Sequence, residues 1–471
     1  MKKLILFGAG VYGDSAYYKL KLQEDIEYYI DNNPSKQGIK LHNIPIISCQ
    51  ELKKIYDPSM YDIVICIKEY YKVIEQLTSL GINKYYIMSH GLLYSCDTKG
   101  ILFPVKMKCI PYIKKEAAEK NILFVQEKAC IRTHKIASVL KKSGYKVFLL
   151  QSFPMPGKND LNFEAVYDEV YTFYTYDGLI NFIDNSDFDI IHSSNEPDRL
   201  TNLLLMTKKH IVFDTHDMMS LRKPESVENV VLEYIANTAS DGNIYTSSAV
   251  VEIARNKFDL ADKEIIAWEN TVLEQEEIVS EYTKLSSIDG ELHCVYEGGI
   301  VGNDKMHHRF FEKIWGKIAD CGVHIHYYSP SDYKYCKELE SKSKYFHFEG
   351  DLGVKELIQE MTKYDCGLAV FNVNYQNRIF LESGTANKMY EYINARIPVV
   401  VGDVCSYIDF VTRHGVGKKL DMEGNIKEQI AEISKINIEK DFLTKNRLTM
   451  MSKCQELIEF YERVKKRKVR R

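Results

Sequence analysis

Short runs of consecutive apolar residues alternate along this chain with stretches in which apolar residues recur every three or four positions. The first kind reads as strands buried on both faces, the second as helices laid against them. Lys3–Phe7 is such a run. A helical stretch from Asp14 to about Leu22 follows, then strands at Glu27–Ile30, Ile63–Ile67 and Tyr85–Met88 with helices between them. Asn121–Gln126 starts the pattern again, with a helix over Arg132–Ser143 that carries Ile136, Val139 and Leu140 on one side. Gly144 ends that helix, and Tyr145–Leu150 is the next strand. Strands at Asp189–His192, His210–Asp214, Asn243–Ser247 and Ile265–Trp268 continue the series. After a polar stretch at Glu274–Gly290 a third series begins. Its strands are Leu292–Tyr296, Val323–Tyr328, Tyr345–Phe348, Cys366–Phe371 and Pro398–Val401, and its helices are about His307–Cys321, Val354–Lys363 and Asn387–Ala395. Strand–helix alternation of this kind predicts an α/β protein with parallel sheets.

The length of 471 residues fits about three domains. Hydrophobic residues at 45% and charged residues at 27% are a globular mix. The net charge of −4 gives no case for nucleic acid as a partner. No charge-free stretch approaches the ~18 residues of a membrane span. Eleven scattered cysteines without a C-x-x-C suit the reduced thiols of a cytoplasm, not a disulfide frame or a zinc site. Lys2-Lys3 before Leu4–Phe7 resembles the start of a secretory signal, but the run breaks at Gly8, no small-residue cleavage site follows and Asp14 comes early, so a strand is expected. Residues 463–471 hold seven cations in nine positions. They read as a solvated basic tail or as a peripheral contact with anionic lipid at the inner face of the cell membrane.

The first strand runs into Gly8-Ala9-Gly10-Val11-Tyr12-Gly13 and then a helix. In this G-x-G-x-x-G, Gly8 can make the tight turn, Gly10 lets a phosphate approach the backbone and Gly13 lets helix and strand pack closely. Asp31, at the end of the next strand, stands where an acid would hold a ribose. The expected organisation is a Rossmann-like domain over 1–98, a linker over 99–120, two further Rossmann-like domains over 121–285 and 286–462, and the tail 463–471. The stretch Ile30–Gly38, with Ile44-Pro45-Ile46 and Glu51-Leu52 after it, resembles a small domain at the front of bacterial sugar-modifying enzymes. That resemblance implies a nucleotide sugar, a nicotinamide cofactor (NAD) or an empty pocket.

In open α/β sheets ligands sit off the carboxyl ends of strands. Arg132, Ser193, Glu196, His216, Asp217, Ser247 and Asn270 all fall at or just beyond such ends. The most informative stretch is Glu382–Val400, with Asn387-Lys388-Met389-Tyr390-Glu391-Tyr392 followed by Arg396-Ile397-Pro398-Val399-Val400. With Tyr345–Gly350 and Phe213-Asp214-Thr215-His216-Asp217, it makes residues 121–450 resemble a GT-B fold glycosyltransferase of the large family-four retaining group. The resemblance implies a donor-binding C-terminal domain and an acceptor-binding middle domain in a cytoplasmic enzyme of bacterial surface-polysaccharide assembly. Its donor would be a UDP- or GDP-sugar, its acceptor a glycan or lipid-linked chain, with retention of configuration and no metal.

Such a donor leaves as a diphosphate, so preset positive charge lowers the barrier. The helix beginning at Asn387 offers free N–H groups, and Lys388 adds a full charge. Gly298 and Gly299 form a glycine turn, after which Lys305 and Arg309 are further candidates. His347 lies on the strand before the implied base pocket. Glu391, on the same helix face as Lys388, suits the ribose hydroxyls, and Glu382 suits the donor sugar. His216 and Asp217 are the catalytic candidates beside Glu382, and Arg132 and Glu196 stand on the acceptor side. The family separates its two acids by seven residues; here eight intervene. Arginine is missing from its usual place after the glycine turn, and Gln126-Glu127-Lys128-Ala129 replaces a glycine pair.

Asp187-Phe188-Asp189 precedes its strand, whereas a metal-binding D-x-D follows one. His324 and His326 alternate on one strand face and read as packing residues, with no third ligand at metal spacing. His307 and His308 cannot share a helix face. Two other readings stay open: a nucleotide-sugar epimerase of the same architecture, which needs no acceptor, and a non-catalytic nucleotide-sugar-binding protein.

Overall fold

The computed structural model describes residues 2–20, 25–89, 92–96, 102–104, 120–152, 163–173, 176–194, 198–274, 278, 280–330, 333–384 and 386–467. Three sheets are present. The first has eight strands in the order Lys40–Leu41, Ile44–Ile47, Ile26–Ile30, Lys3–Phe7, Tyr61–Ile65, Tyr86–Ser89, Leu92–Cys96 and Leu102–Pro104. Lys3–Phe7 pairs in parallel with strands on both sides, and Ile5, Leu6 and Phe7 are fully buried. A central parallel strand is covered on both faces, which is why its sequence is a continuous apolar run.

The helix after it is Val11–Leu20, starting earlier than the expected Asp14. Gly13 therefore lies in its first turn, where a Cβ would stand 1.7 Å from the Gly8 carbonyl oxygen. Only a residue without a side chain fits, and Gly13→Ala is expected to cost about 3 kcal/mol, the upper range for overpacking. In urea unfolding of the full chain, Gly13→Ala moves one transition to lower urea and leaves the remainder in place. Asp31 accepts the N–H of Ala9 at 2.9 Å and that of Asn33 at 2.9 Å, and pairs with Lys36 at 3.2 Å. Burial works against its charge, but these bonds prevail and hold the carboxyl below its usual range. The expected ribose acid thus closes the glycine loop onto Lys36, whose Nζ also reaches the Ala9 carbonyl at 3.1 Å.

The second sheet has the order Glu169–Thr172, Lys146–Gln151, Asn121–Gln126, Ile190–Ser194, His210–Thr215, Gly242–Tyr245 and Glu264–Ala267. The third is Phe346–Gly350, Val323–Tyr328, Leu292–Glu297, Cys366–Ala369, Val399–Val401 and Gly417–Lys419, parallel throughout. By packing density, residues 1–137, 144–212 and 467–471 form one unit and residues 138–143 and 213–466 another. The site described below lies within the second. Its core gathers Tyr296, Phe311 and Trp315, the last two stacked at 4.6 Å, under the third sheet.

Several expectations need correction. The linker cannot begin at 99, because Leu102–Pro104 is hydrogen-bonded to Leu92–Cys96 as the last strand of the first sheet; residues 105–119 lie outside the described residues. The tail cannot begin at 463, because the last helix is Cys454–Lys465, with Val464 fully buried and Arg463 paired to Glu264 at 2.8 Å. Its final residues, 468–471, lie outside the described ones. The expected helix from His307 exists only as Glu312–Asp320. Edge elements were also missed. Lys40–Leu41 and Ile44–Ile47 form a hairpin whose turn places His42 and Asn43 at φ 53° and 64°, the backbone a two-residue turn of this hand requires.

Nine cysteines among the described residues are free thiols. Among those residues no helix is long and apolar enough to cross a membrane.

Candidate active site

The strand Leu292–Glu297 lies inside the third sheet, and at its carboxyl end the chain turns through Gly298 and Gly299. The Asn387–Asn394 helix comes up to this turn. Tyr392 joins the two: its hydroxyl donates to the Leu368 carbonyl at 3.1 Å and accepts the Glu297 N–H at 3.3 Å. Ala386, at the helix start, has no side chain able to accept from the first-turn N–H groups. Those groups, with the positive end of the helix dipole, suit an anion. Asn387 is exposed there.

Lys388, one residue on, is only 7% exposed. Its Nζ sits 4.0 Å from the Tyr296 ring centre and 5.1 Å from that of Phe371. Gly298 has φ +117°, and a Cβ there would stand 3.2 Å from the Lys388 Nζ. This glycine makes the turn and leaves room for the ammonium. Burial pushes the ammonium down to about 8, Glu297 and Glu391 pull it up, and Arg309 pushes it down.

Glu297 was not among the expected site residues. Burial and the charge of Glu391 push its carboxyl well above the usual range, against the pull of Lys388 and Arg309. The two carboxyls are hydrogen-bonded to each other. The sequence signal was an acid directly before the glycine pair.

Positive potential extends beyond Lys388. His308 is pushed down to about 3 by burial, then by Arg309, His307, Lys388 and Arg222. His307 is lowered by burial and by Arg309 and Arg222, with Asp304 opposing. Arg309 is solvent-exposed, so its charge remains available. Lys305 is also exposed. The segment between glycine turn and helix is held as a loop by three asparagines that sequence reasoning missed. Asn372 Nδ2 donates to the carbonyls of Lys305 and His307 at 2.9 and 3.1 Å. Asn374 and Asn377 both donate to the Met306 carbonyl, at 2.8 and 3.1 Å. These bonds replace the helix expected from His307. An N-x-N-x-x-N just past a strand was the available signal.

Glu382 closes the short helix Arg378–Glu382, where Arg378 pairs with it at 3.1 Å and with Asp403 at 3.2 Å. The helix Met219–Arg222 packs against this one. Beside it, His216 Nε2 lies 3.3 Å from Oδ2 of the fully buried Asp214, and Asp217 pairs with Arg222 at 2.9 Å. Ser247 donates from Oγ to the Ser383 carbonyl. Lys388, Glu391, Gly298 and Arg309 therefore converge, with Glu297 added.

His347 is not in that group. Its Nε2 is 2.8 Å from Nδ1 of His324, and its ring stacks on His326 at 4.4 Å. His324 and His326 in turn have ring partners on the neighbouring strands, so the expectation of packing residues without a further ligand partner needs correction: Asp289, His293 and His324 bring their ligand atoms within 4.8 Å of one another. Arg132 is buried in the first turn of the Ile131–Lys142 helix, and Glu196 lies outside the described residues.

No protein-family model matches the sequence, and no curated protein matches it. Solved structures do share its fold. The sucrose-phosphate synthase of Thermosynechococcus elongatus is 10% identical, with 74% of this chain covering 99% of that one at a TM-score of 0.54. Anabaena Alr3699/HepE in complex with UDP is 12% identical, with 73% covering 100% at 0.56. The same protein in complex with UDP-glucose is 13% identical, with 73% covering 99% at 0.54. These similarities show a GT-B fold with Rossmann-like domains.

Proposed function

We propose that this chain is a glycosyltransferase that moves a sugar from a UDP- or GDP-sugar to a glycan or lipid-linked acceptor in bacterial surface-polysaccharide assembly. The observation that carries the reading is the desolvated ammonium of Lys388, set at a helix N-terminus against the Gly298 turn with Glu391 one helical turn on. A buried charge costs free energy unless a partner compensates it. A diphosphate is such a partner. The complexes of HepE with UDP and UDP-glucose lend support from the same fold.

In this reading Lys388, the first-turn N–H groups and Arg309 receive the negative charge that grows on the leaving diphosphate. These cations supply the compensation without a metal. Glu391 accepts the ribose hydroxyls. Arg378 holds Glu382 for the donor sugar. His216 and Asp217 orient the acceptor, and the leaving phosphate takes its proton as configuration is retained. Lys466, Arg467 and the basic residues beyond them draw the cytoplasmic enzyme to anionic lipid, each worth about 1 kcal/mol near the surface.

The test is calorimetric titration of the full chain with UDP, GDP, CDP and their sugars across pH. One nucleotide series binds, and affinity for the sugar form is level below pH 8 and falls above it. The lowered ammonium of Lys388 is charged below about 8 and neutral above, while the donor diphosphate does not titrate there. Binding that holds level to pH 10, where an ordinary lysine stays charged, removes Lys388 from the site.

A further inference from the structure

The amino end of the third sheet carries a second cluster of chemical groups, far from the glycine turn. His293 and Glu297 lie on one strand four residues apart, which is about 13 Å. His293 pairs in register with His324 on the adjoining strand, and His326 pairs with His347 on the next. Side chains at paired and alternate positions share a sheet face, so four imidazoles stand together. His293 and His324 stack at 4.5 Å.

Hydrogen bonds set the tautomers. Glu349 is held below the usual carboxylate range by its bond to His326, against burial, so it accepts only. His326 donates from Nδ1 to Glu349 Oε1 at 2.7 Å. His326 Nε2 lies 2.9 Å from Nδ1 of His293. That leaves the other nitrogen of His293, Nε2. It faces Asp289, at 3.2 Å from Oδ1 and 3.0 Å from Oδ2. The N–H of Glu291 orients the Asp289 carboxylate at 2.9 Å.

We infer that Asp289, His293 and His324 form a binding site for a divalent transition-metal ion of the zinc class. Their ligand atoms lie within 4.8 Å of one another. Ligands about 2.0–2.2 Å from a tetrahedral zinc stand somewhat over 3 Å apart. The Asp289–His293 separation already matches, and rotation of the exposed Asp289 side chain and of the His324 ring closes the rest. Each imidazole ligand has the outer partner such sites use: His293 has its Nδ1 against His326, and His324 has its Nδ1 against His347 at 2.8 Å, leaving Nε2 for the metal. Two imidazoles and one carboxylate select zinc-class ions over magnesium or calcium. Asp289 is exposed, so the fourth position opens to water.

Calorimetric titration of the chelator-stripped full chain with Zn²⁺ tests this, with Mg²⁺ as the control. One equivalent of Zn²⁺ binds and Mg²⁺ does not. Asp289→Asn, on an exposed side chain and so without risk to folding, weakens Zn²⁺ binding tenfold or more, and His324→Ala does the same. Co²⁺ in place of Zn²⁺ gives visible bands of nitrogen–oxygen coordination. The site is refuted by equal Zn²⁺ affinity in wild type and Asp289→Asn, by a cobalt–thiolate charge-transfer band, or by no saturable Zn²⁺ binding.

Discussion

Lys388→Met lowers kcat/KM for the nucleotide-sugar donor by two to three orders of magnitude. Methionine keeps the length of the side chain and its place between Tyr296 and Phe371, but carries no charge. Removing one preset donor from a developing oxyanion typically costs about 10²–10³ in rate. The loss falls on kcat as well as on donor affinity, because charge on the leaving diphosphate is greater in the transition state than in the ground state. Stability moves the other way. The pKa of the folded-state ammonium lies near 8 instead of 10.5. The folded chain therefore binds the proton less well than the unfolded chain, a cost present in full below pH 8 and relieved as pH rises toward 10.5. Lys388→Met removes that cost, so its thermal midpoint at pH 7 is no lower than that of wild type. A variant that loses turnover together with several degrees of midpoint would mean that Lys388 only supports the fold. Steady-state kinetics with a thermal melt on the same sample separate the two outcomes.

Glu391→Gln weakens donor binding by about 10- to 100-fold, the span for hydrogen bonds to a charged group. Glu297→Gln, at the strand end beside the same chemistry, changes it by no more than a few-fold. The asymmetry follows from the surroundings of the two carboxyls. Burial and the charge of Glu391 push the Glu297 carboxyl well above its usual range, so an uncharged glutamine suits its place. Glu391 pulls the Lys388 ammonium upward. Its loss therefore shifts the alkaline limb of donor binding to below pH 8, a readout that simple damage to packing would not produce. Equal losses in the two variants would break the assignment of roles. Calorimetry with the UDP- or GDP-sugar at several pH values reads both effects.

Much of this was legible in the order of residue types. Parallel strands buried on both faces must be apolar runs, so Lys3–Phe7, Asn121–Gln126 and Val323–Tyr328 stood out, and the structure returns those bounds unchanged. Glycines at a tight strand–helix turn have no substitute, so Gly13 declared the first turn. Lys388 and Glu391 lie three residues apart on one helix, and local spacing alone places them on one face. Edge strands such as Lys40–Leu41 and Gly417–Lys419 were invisible, because two or three half-exposed residues carry no periodic signal.

What the sequence determined by itself was local: the α/β alternation, the glycine turns, and the lysine and acid on one helix. What only the tertiary structure decided was which distant residues share a place. Glu297 meets Glu391 because a strand end and a helix start converge. Asn372, Asn374 and Asn377 turn an expected helix into a loop because they bind its carbonyls at Lys305 and Met306 from a distant part of the chain. His293 and His324 become neighbours through the register of two strands. Periodicity is set by bonds within a segment, whereas proximity between segments is set by the packing of the whole core, which no single stretch of chain encodes.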